Sequence, residues 1–278
     1  MTTHQETTHT GVRATAVSVT TRRRIATATV LGALAAVAWL ASVNQMRGMG
    51  MDDRFSVGSF GFFVGLWVVM MAAMMFPSVW PMLSLYGTIM RNRATTGGRA
   101  GVASAAFVVG YLASWTAYGL AAFGVLEIAS HAGLGGLSDT ALARYLVAPV
   151  AMAAALYQLA PLKQACLRHC RGPFSFLLAH WRDGLRGAVR MGAIHGGYCV
   201  GCCWMLMLVL LAVGLMSITW MAIVSIAIAV EKLTPTRSTW LPSTLLGIGL
   251  AALGLVALIR PTLLPGIDRM QPMQPAIK

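Results

Sequence analysis

The stretch HGGYCVGCCWML, residues 195–206, sets one imidazole and three thiols into an apolar run. Advancing about 100° per residue along a helix puts His195, Cys199, Cys202 and Cys203 within an arc of about 100°. Trp204 points the opposite way, and Gly192 and Gly196 lie on or beside the arc, where a neighbouring helix could approach closely. Small buried cysteines often serve only as packing. An imidazole within an apolar helix needs a partner, however, so the four side chains together read as a site. A second group, CLRHC, carries Cys166, His169 and Cys170 on one helical face before Gly172 and Pro173 stop the helix. Arg168 and Arg171 beside it are expected to favour the thiolate form that binds metal. A third pattern is the methionine stripe of LWVVMMAAMMFPSVWPM, where Met70, Met71, Met74 and Met75 cover about 140° of a helix.

Thiolate, thioether and imidazole are soft or borderline ligands that select Cu(I), zinc or iron–sulfur clusters. Zinc fits Cys and His but leaves the thioethers without a role. Copper(I) uses all three ligand types and is the expected metal, with zinc as the alternative. In this reading Cys166, His169 and Cys170 take up the ion. His195 and Cys199 pass it on, and Cys202, Cys203 and the methionines, Met70 and Met74 foremost, hold it. No phosphate-binding glycine loop and no nucleophile triad is present, so the chain reads as a binding protein and not an enzyme.

The elements that must position these residues follow from composition. The chain has 278 residues, 57% hydrophobic and 10% charged, with a mean hydropathy of +0.71. Soluble domains carry about 25% charged residues. Several runs reach the roughly 20 residues that a bilayer-spanning helix needs. Helices are expected near residues 25–43, 58–76 (interrupted at Pro77 and Pro81, or continuing past Pro77 to Met90), 101–128, 141–162, 191–212, 215–231 and 241–259. The fold class is therefore all-α, a polytopic transmembrane bundle of about 6–7 helices. On depth alone, a helix entering at Met191 climbs about 18 Å to Cys203, near the bilayer middle.

Phe174, Leu177, Leu178, Trp181 and Leu185 share an arc of about 100° opposite Asp183, Arg186 and Arg190, which predicts an interfacial amphipathic helix over about 174–190. Such a connector would bring the two cysteine groups together at the inner surface. Residues 1–24 are expected as a disordered cytoplasmic tail, 25–260 as the transmembrane domain and 261–278 as a flexible tail. Glu231 and Lys232 read as interfacial residues at a helix end, and Tyr157 and Gln158 as locally bonded.

The net charge of +13 could suggest nucleic acid. With a cytoplasmic N-terminus, though, 15 of the 21 Lys and Arg fall in inside segments, as the positive-inside rule requires. The lipid bilayer, not nucleic acid, is the expected partner. The odd number of cysteines, five, cannot all pair within one chain, and structural disulfides are not expected.

Four motifs, WVVMMAAMMFPSVWP, YQLAPLKQACLRHCRGP, HGGYCVGCCWMLM and MSITWMAIVSIAIAVEKL, resemble the bacterial family of predicted metal-binding integral membrane proteins, which includes copper-chaperone-like members. The resemblance spans about Leu66 to Leu233, with Cys166, Cys170, His195, Cys199, Cys202 and Cys203 at the motif positions. It implies a multi-pass protein of the bacterial inner membrane that handles metal and delivers copper to a recipient enzyme. Two other function classes compete. A membrane thiol–disulfide oxidoreductase would use Cys199, Cys202 and Cys203 as redox pairs. A non-catalytic assembly subunit would need only helix packing through Gly and Ala.

Overall fold

The computed structural model describes residues 25–44, 60–93, 97–131, 140–213, 218–234 and 240–259. Both expected tails lie outside these residues. Among them every regular element is a helix, with no strand. In chain order the helices are α1 (Ile25–Asn44), α2 (Phe60–Arg93), α3 (Gly97–His131), α4 (Thr140–Gln158), α5 (Pro161–Arg171), α6 (Pro173–His180), α7 (Gly184–Val213), α8 (Ile218–Leu233) and α9 (Trp240–Ile259). Five, namely α1, α2, α3, α7 and α9, contain spans long and apolar enough to cross a membrane. The apolar part of α4, Val147–Gln158, is shorter, and α8 has 16 residues.

Three helix boundaries differ from the sequence expectation, each for a local reason. First, α2 is not interrupted at Pro77 and Pro81 but runs through both to Arg93. Each proline removes one backbone donor, so the Ala73 and Pro77 carbonyls lose their partner four residues on. Packing against neighbouring helices, here α3 and α8, makes proline tolerable inside an apolar helix.

Second, the expected helix over 141–162 ends at Gln158, and CLRHC sits on the separate helix α5. Ala160 is extended, with φ −66° and ψ 136°, because the ring of Pro161 disfavours the α region for the residue before it. Third, the stretch 174–190 is not one amphipathic helix. It divides into α6 and the first turns of α7 at Gly184, whose φ of +79° is left-handed and favours glycine. Phe176 and Leu177 turn into the core, while Phe174, Leu178 and Leu185 are exposed.

Packing centres on α7, which meets α3, α4, α5 and α8. Glycines let α3 and α7 approach closely, as the sequence suggested at Gly192 and Gly196. A Cβ on Gly192 would collide with the Phe107 carbonyl, one on Gly110 with the Val189 carbonyl, and one on Gly196 would lie 2.8 Å from the Tyr111 carbonyl oxygen. Ser114 Oγ closes the same seam with a 2.8 Å bond to the Ala193 carbonyl. On the other side of the bundle α9 lies on α4, with Gly247 and Gly254 facing the Ala155 and Ala148 carbonyls. α2 packs on α3 and α8, and its Trp67 donates to the Trp115 carbonyl at 2.9 Å.

Candidate metal centre

All five cysteines are free thiols. Cys199, Cys202 and Cys203 are buried on α7, as one helical face requires. The Cys202 and Cys203 sulfurs both bond back to the Cys199 carbonyl, at 3.1 and 2.8 Å. α5 lies across this face and delivers the second cysteine group to it. Cys170 Sγ comes within 3.9 Å of Cys202 Sγ. Cys166 seats its sulfur over Gly201, where a Cβ would stand 2.8 Å from it. The two cysteine groups thus meet, as the sequence suggested, although a short separate helix brings them together.

The Cys199 sulfur has two polar neighbours that sequence reasoning missed. Lys232 Nζ donates to it at 2.7 Å, and the Tyr111 hydroxyl lies at 2.9 Å. Lys232 is not a surface lysine at the end of α8. It is buried and also approaches Ser78 Oγ of α2 at 3.5 Å.

His195 is 3% exposed, ringed by Phe107, Tyr111 and Phe176 with centroids 5.0 to 6.1 Å away. Its Nδ1 has no hydrogen-bond partner among the described residues. His169 has partners of its own. Its Nδ1 pairs with the Ala165 carbonyl at 2.9 Å, and its ring stacks on Tyr198 at 4.1 Å. His180 is half-buried and stacks on Phe176 at 4.6 Å. Among the described residues no three His, Cys, Asp or Glu side chains stand as a ready-made metal cage.

Met70, Met71 and Met74 are buried, and share one contiguous apolar core with the three α7 cysteines. Lys232 links α2 to the Cys199 sulfur, through its contact with Ser78 Oγ.

The expectation that Arg168 and Arg171 favour thiolates on α5 is not met. Arg168 bonds the Gln164 carbonyl and Arg171 Nε the Glu231 carbonyl at 2.6 Å. The Cys170 thiol is instead pushed well up by its hydrogen bond with Cys202 and by burial. Burial, then Cys202, raises the Cys166 thiol.

Beside the sulfurs lies a buried ionic network that the sequence reading had placed at the interface. Lys163 Nζ bonds both Glu231 carboxylate oxygens at 2.8 Å and the Gln158 side-chain oxygen. Ser243 Oγ of α9 adds a 2.9 Å bond to Glu231 Oε1. Tyr157 likewise bonds not locally but across to the Gly201 carbonyl of α7, at 2.5 Å. One signal for Lys163 was available: it precedes Cys166 and Cys170 by three and seven residues, which places all three on one face of α5.

Comparison with curated proteins gives no match. Comparison with solved structures gives none either. A family model described as PpoB2, copper chaperone, matches residues 64–257, from within α2 to near the end of α9 and including every cysteine. That match covers well over half of the chain, which belongs to the PpoB2 copper chaperone family.

Proposed function

We propose that this protein is a membrane-embedded carrier that receives Cu(I) on its cysteine sulfurs and hands it to a copper-using enzyme. The observation that carries this reading is the 3.9 Å separation of Cys170 Sγ and Cys202 Sγ, reduced thiols on two different helices. Metal–sulfur bonds of about 2.3 Å place two sulfurs about 3.8 Å apart across a tetrahedral angle and about 4.6 Å apart in a line. An ion can therefore bridge α5 and α7 with little movement of either.

Cys166 and Cys199 flank the bridging pair, and Cys203 stands next along α7. The unpartnered Nδ1 of buried His195 offers a nitrogen donor nearby, while His169, stacked on Tyr198, serves at the rim. Met70, Met71 and Met74 supply thioethers within the same core. A chain of soft donors of similar affinity supports transfer by ligand exchange, and thiolate with thioether favours copper over zinc.

The five long apolar helices support a multi-pass protein, with lipid covering the exposed apolar side chains of α1, α4 and α9. The distribution of Lys and Arg favours a cytoplasmic N-terminus in a bacterial inner membrane. The copper ion is cargo in this reading, and the recipient enzyme is the second partner.

The test is elemental analysis of the full chain, purified anaerobically in detergent, beside Cys170→Ser and Cys202→Ser. We expect about one copper per chain after Cu(I) loading, lost in both variants. The same sulfur pair could instead close as a disulfide, the reading as a thiol–disulfide oxidoreductase. Absence of copper from the loaded wild type, with a Cys170–Cys202 disulfide found by mass spectrometry, would favour that reading.

A further inference from the structure

We propose that Lys232 is a fixed positive charge within the sulfur site that sets its preference for a monovalent over a divalent cation. This inference rests on the cysteine sulfurs being the copper site.

The argument begins with how the buried charges pair. Glu231 and Lys232 are neighbours on α8, yet they do not neutralise one another. Both Glu231 carboxylate oxygens are taken by Lys163, and one also by Ser243. Lys232 turns to the other side, where its described polar partners are Cys199 Sγ at 2.7 Å and Ser78 Oγ at 3.5 Å. A buried ammonium is costly unless a counter-charge answers it. The α8 carboxylate is already answered by Lys163, so sulfur is what answers Lys232. The ammonium thus stands 2.7 Å from one sulfur of the group.

The consequence follows from Coulomb's law, whatever the number of thiolates in the site. The ammonium repels a divalent ion twice as strongly as a monovalent ion at the same position, and a low-dielectric surrounding keeps that difference large. With two thiolates, Lys232 and one Cu(I) leave no net charge, whereas Lys232 and one Zn(II) leave one uncompensated positive charge. Donor softness alone admits both metals. The charge of Lys232 separates them.

The experiment compares the full chain, reduced and in detergent, with Lys232→Met and Lys232→Arg. Cu(I) and Zn(II) affinities are measured separately by competition with a chelator of known affinity for each ion. The expected result for Lys232→Met is a shift of the ratio of affinities toward zinc by at least about tenfold. Lys232→Arg, which keeps the charge, should hold the wild-type ratio. A wild type that binds Cu(I) beside a Lys232→Met variant with an unchanged ratio overturns this inference and leaves the copper reading standing. A wild type that binds no Cu(I) overturns both.

If Lys232→Met does not fold, Lys232→Gln takes its place. Lys232→Gln and the wild type are also compared with the soft ions Ag(I) and Cd(II): the variant should shift the ratio of affinities toward Cd(II), and an unchanged ratio refutes the role of Lys232.

Discussion

Replacing Lys163 by Met should destabilise the fold far more than replacing Lys163 and Glu231 together. The pair is nearly sealed, with side chains 0% and 4% exposed. Among the described residues, Lys163→Met leaves the Glu231 carboxylate with a single side-chain donor, Ser243 Oγ at 2.9 Å. Among the same residues, Glu231→Met leaves the ammonium with only the neutral Gln158 oxygen. Removing one member of a buried pair costs about 3–5 kcal/mol, because the survivor stays charged and unpaired. Replacing both by apolar side chains is often near neutral. Here it should cost less than about 2 kcal/mol, mostly for the stranded hydroxyl of Ser243 and amide of Gln158.

The assay is unfolding in mixed detergent micelles, followed by circular dichroism, for the two single variants and the double. At roughly 2–4 °C per kcal/mol, each single variant should lose on the order of 10 °C in midpoint. Because the pair ties α5 to α8, each single variant should also speed alkylation of Cys166 and Cys170, and the double variant should do so less. Single variants that cost under about 1 kcal/mol, or a double variant as costly as their sum, would refute the reasoning.

Two further outcomes follow from glycine contacts on α7. Gly192→Val puts a branched side chain against the Phe107 carbonyl, where only backbone could yield. It should cost more than about 3 kcal/mol, or prevent recovery of folded protein by size exclusion, whereas Gly197→Val, with open space around its Cα, should be far milder. Gly201→Ala meets only the end of the Cys166 side chain, 2.8 Å from the new Cβ. It should leave the fold intact, swing Cys166 out of its seat and raise its alkylation rate several-fold, measured by mass spectrometry.

Much of this fold is legible in the sequence because helices in an apolar chain announce themselves by length and hydropathy. The spacing of His195, Cys199, Cys202 and Cys203 gives their shared burial directly, and Gly192 with Gly196 gives the close helix crossing. The breaks were harder. Pro161 does end a helix, whereas Pro77 and Pro81 do not. The difference lies in tertiary packing, with α2 held against α3 and α8, and that depends on the finished bundle. The stretch 174–190 shows the limit of periodicity. Its apolar arc is real on paper, but a left-handed turn at Gly184 resets the phase, so half of that arc never faces one surface. His169 shares a face with Cys166 and Cys170, and its ring stacks on Tyr198, a contact that spacing alone does not reveal.

The polar residues that matter most were visible but misassigned, and the reason is general. Glu231 and Lys232 occupy the last turn of a helix, where a lysine complements the helix dipole and can extend to water. That reading considers one helix alone. Consecutive residues on a helix point about 100° apart, so two adjacent charges of opposite sign can serve two different neighbours. α8 uses them in this way: Glu231 reaches Lys163 on α5, and Lys232 reaches Cys199 on α7. α5 and α7 are the two helices that carry all five cysteines. One dipeptide on a third helix therefore grips both sides of the sulfur cluster, on α5 through an ion pair and on α7 through sulfur itself. In the proposed site, a cation held between Cys170 and Cys202 would feel the charge of Lys232 while the Lys163–Glu231 pair stays in place. Adjacent residues on α8 thus bond the two cysteine helices separately.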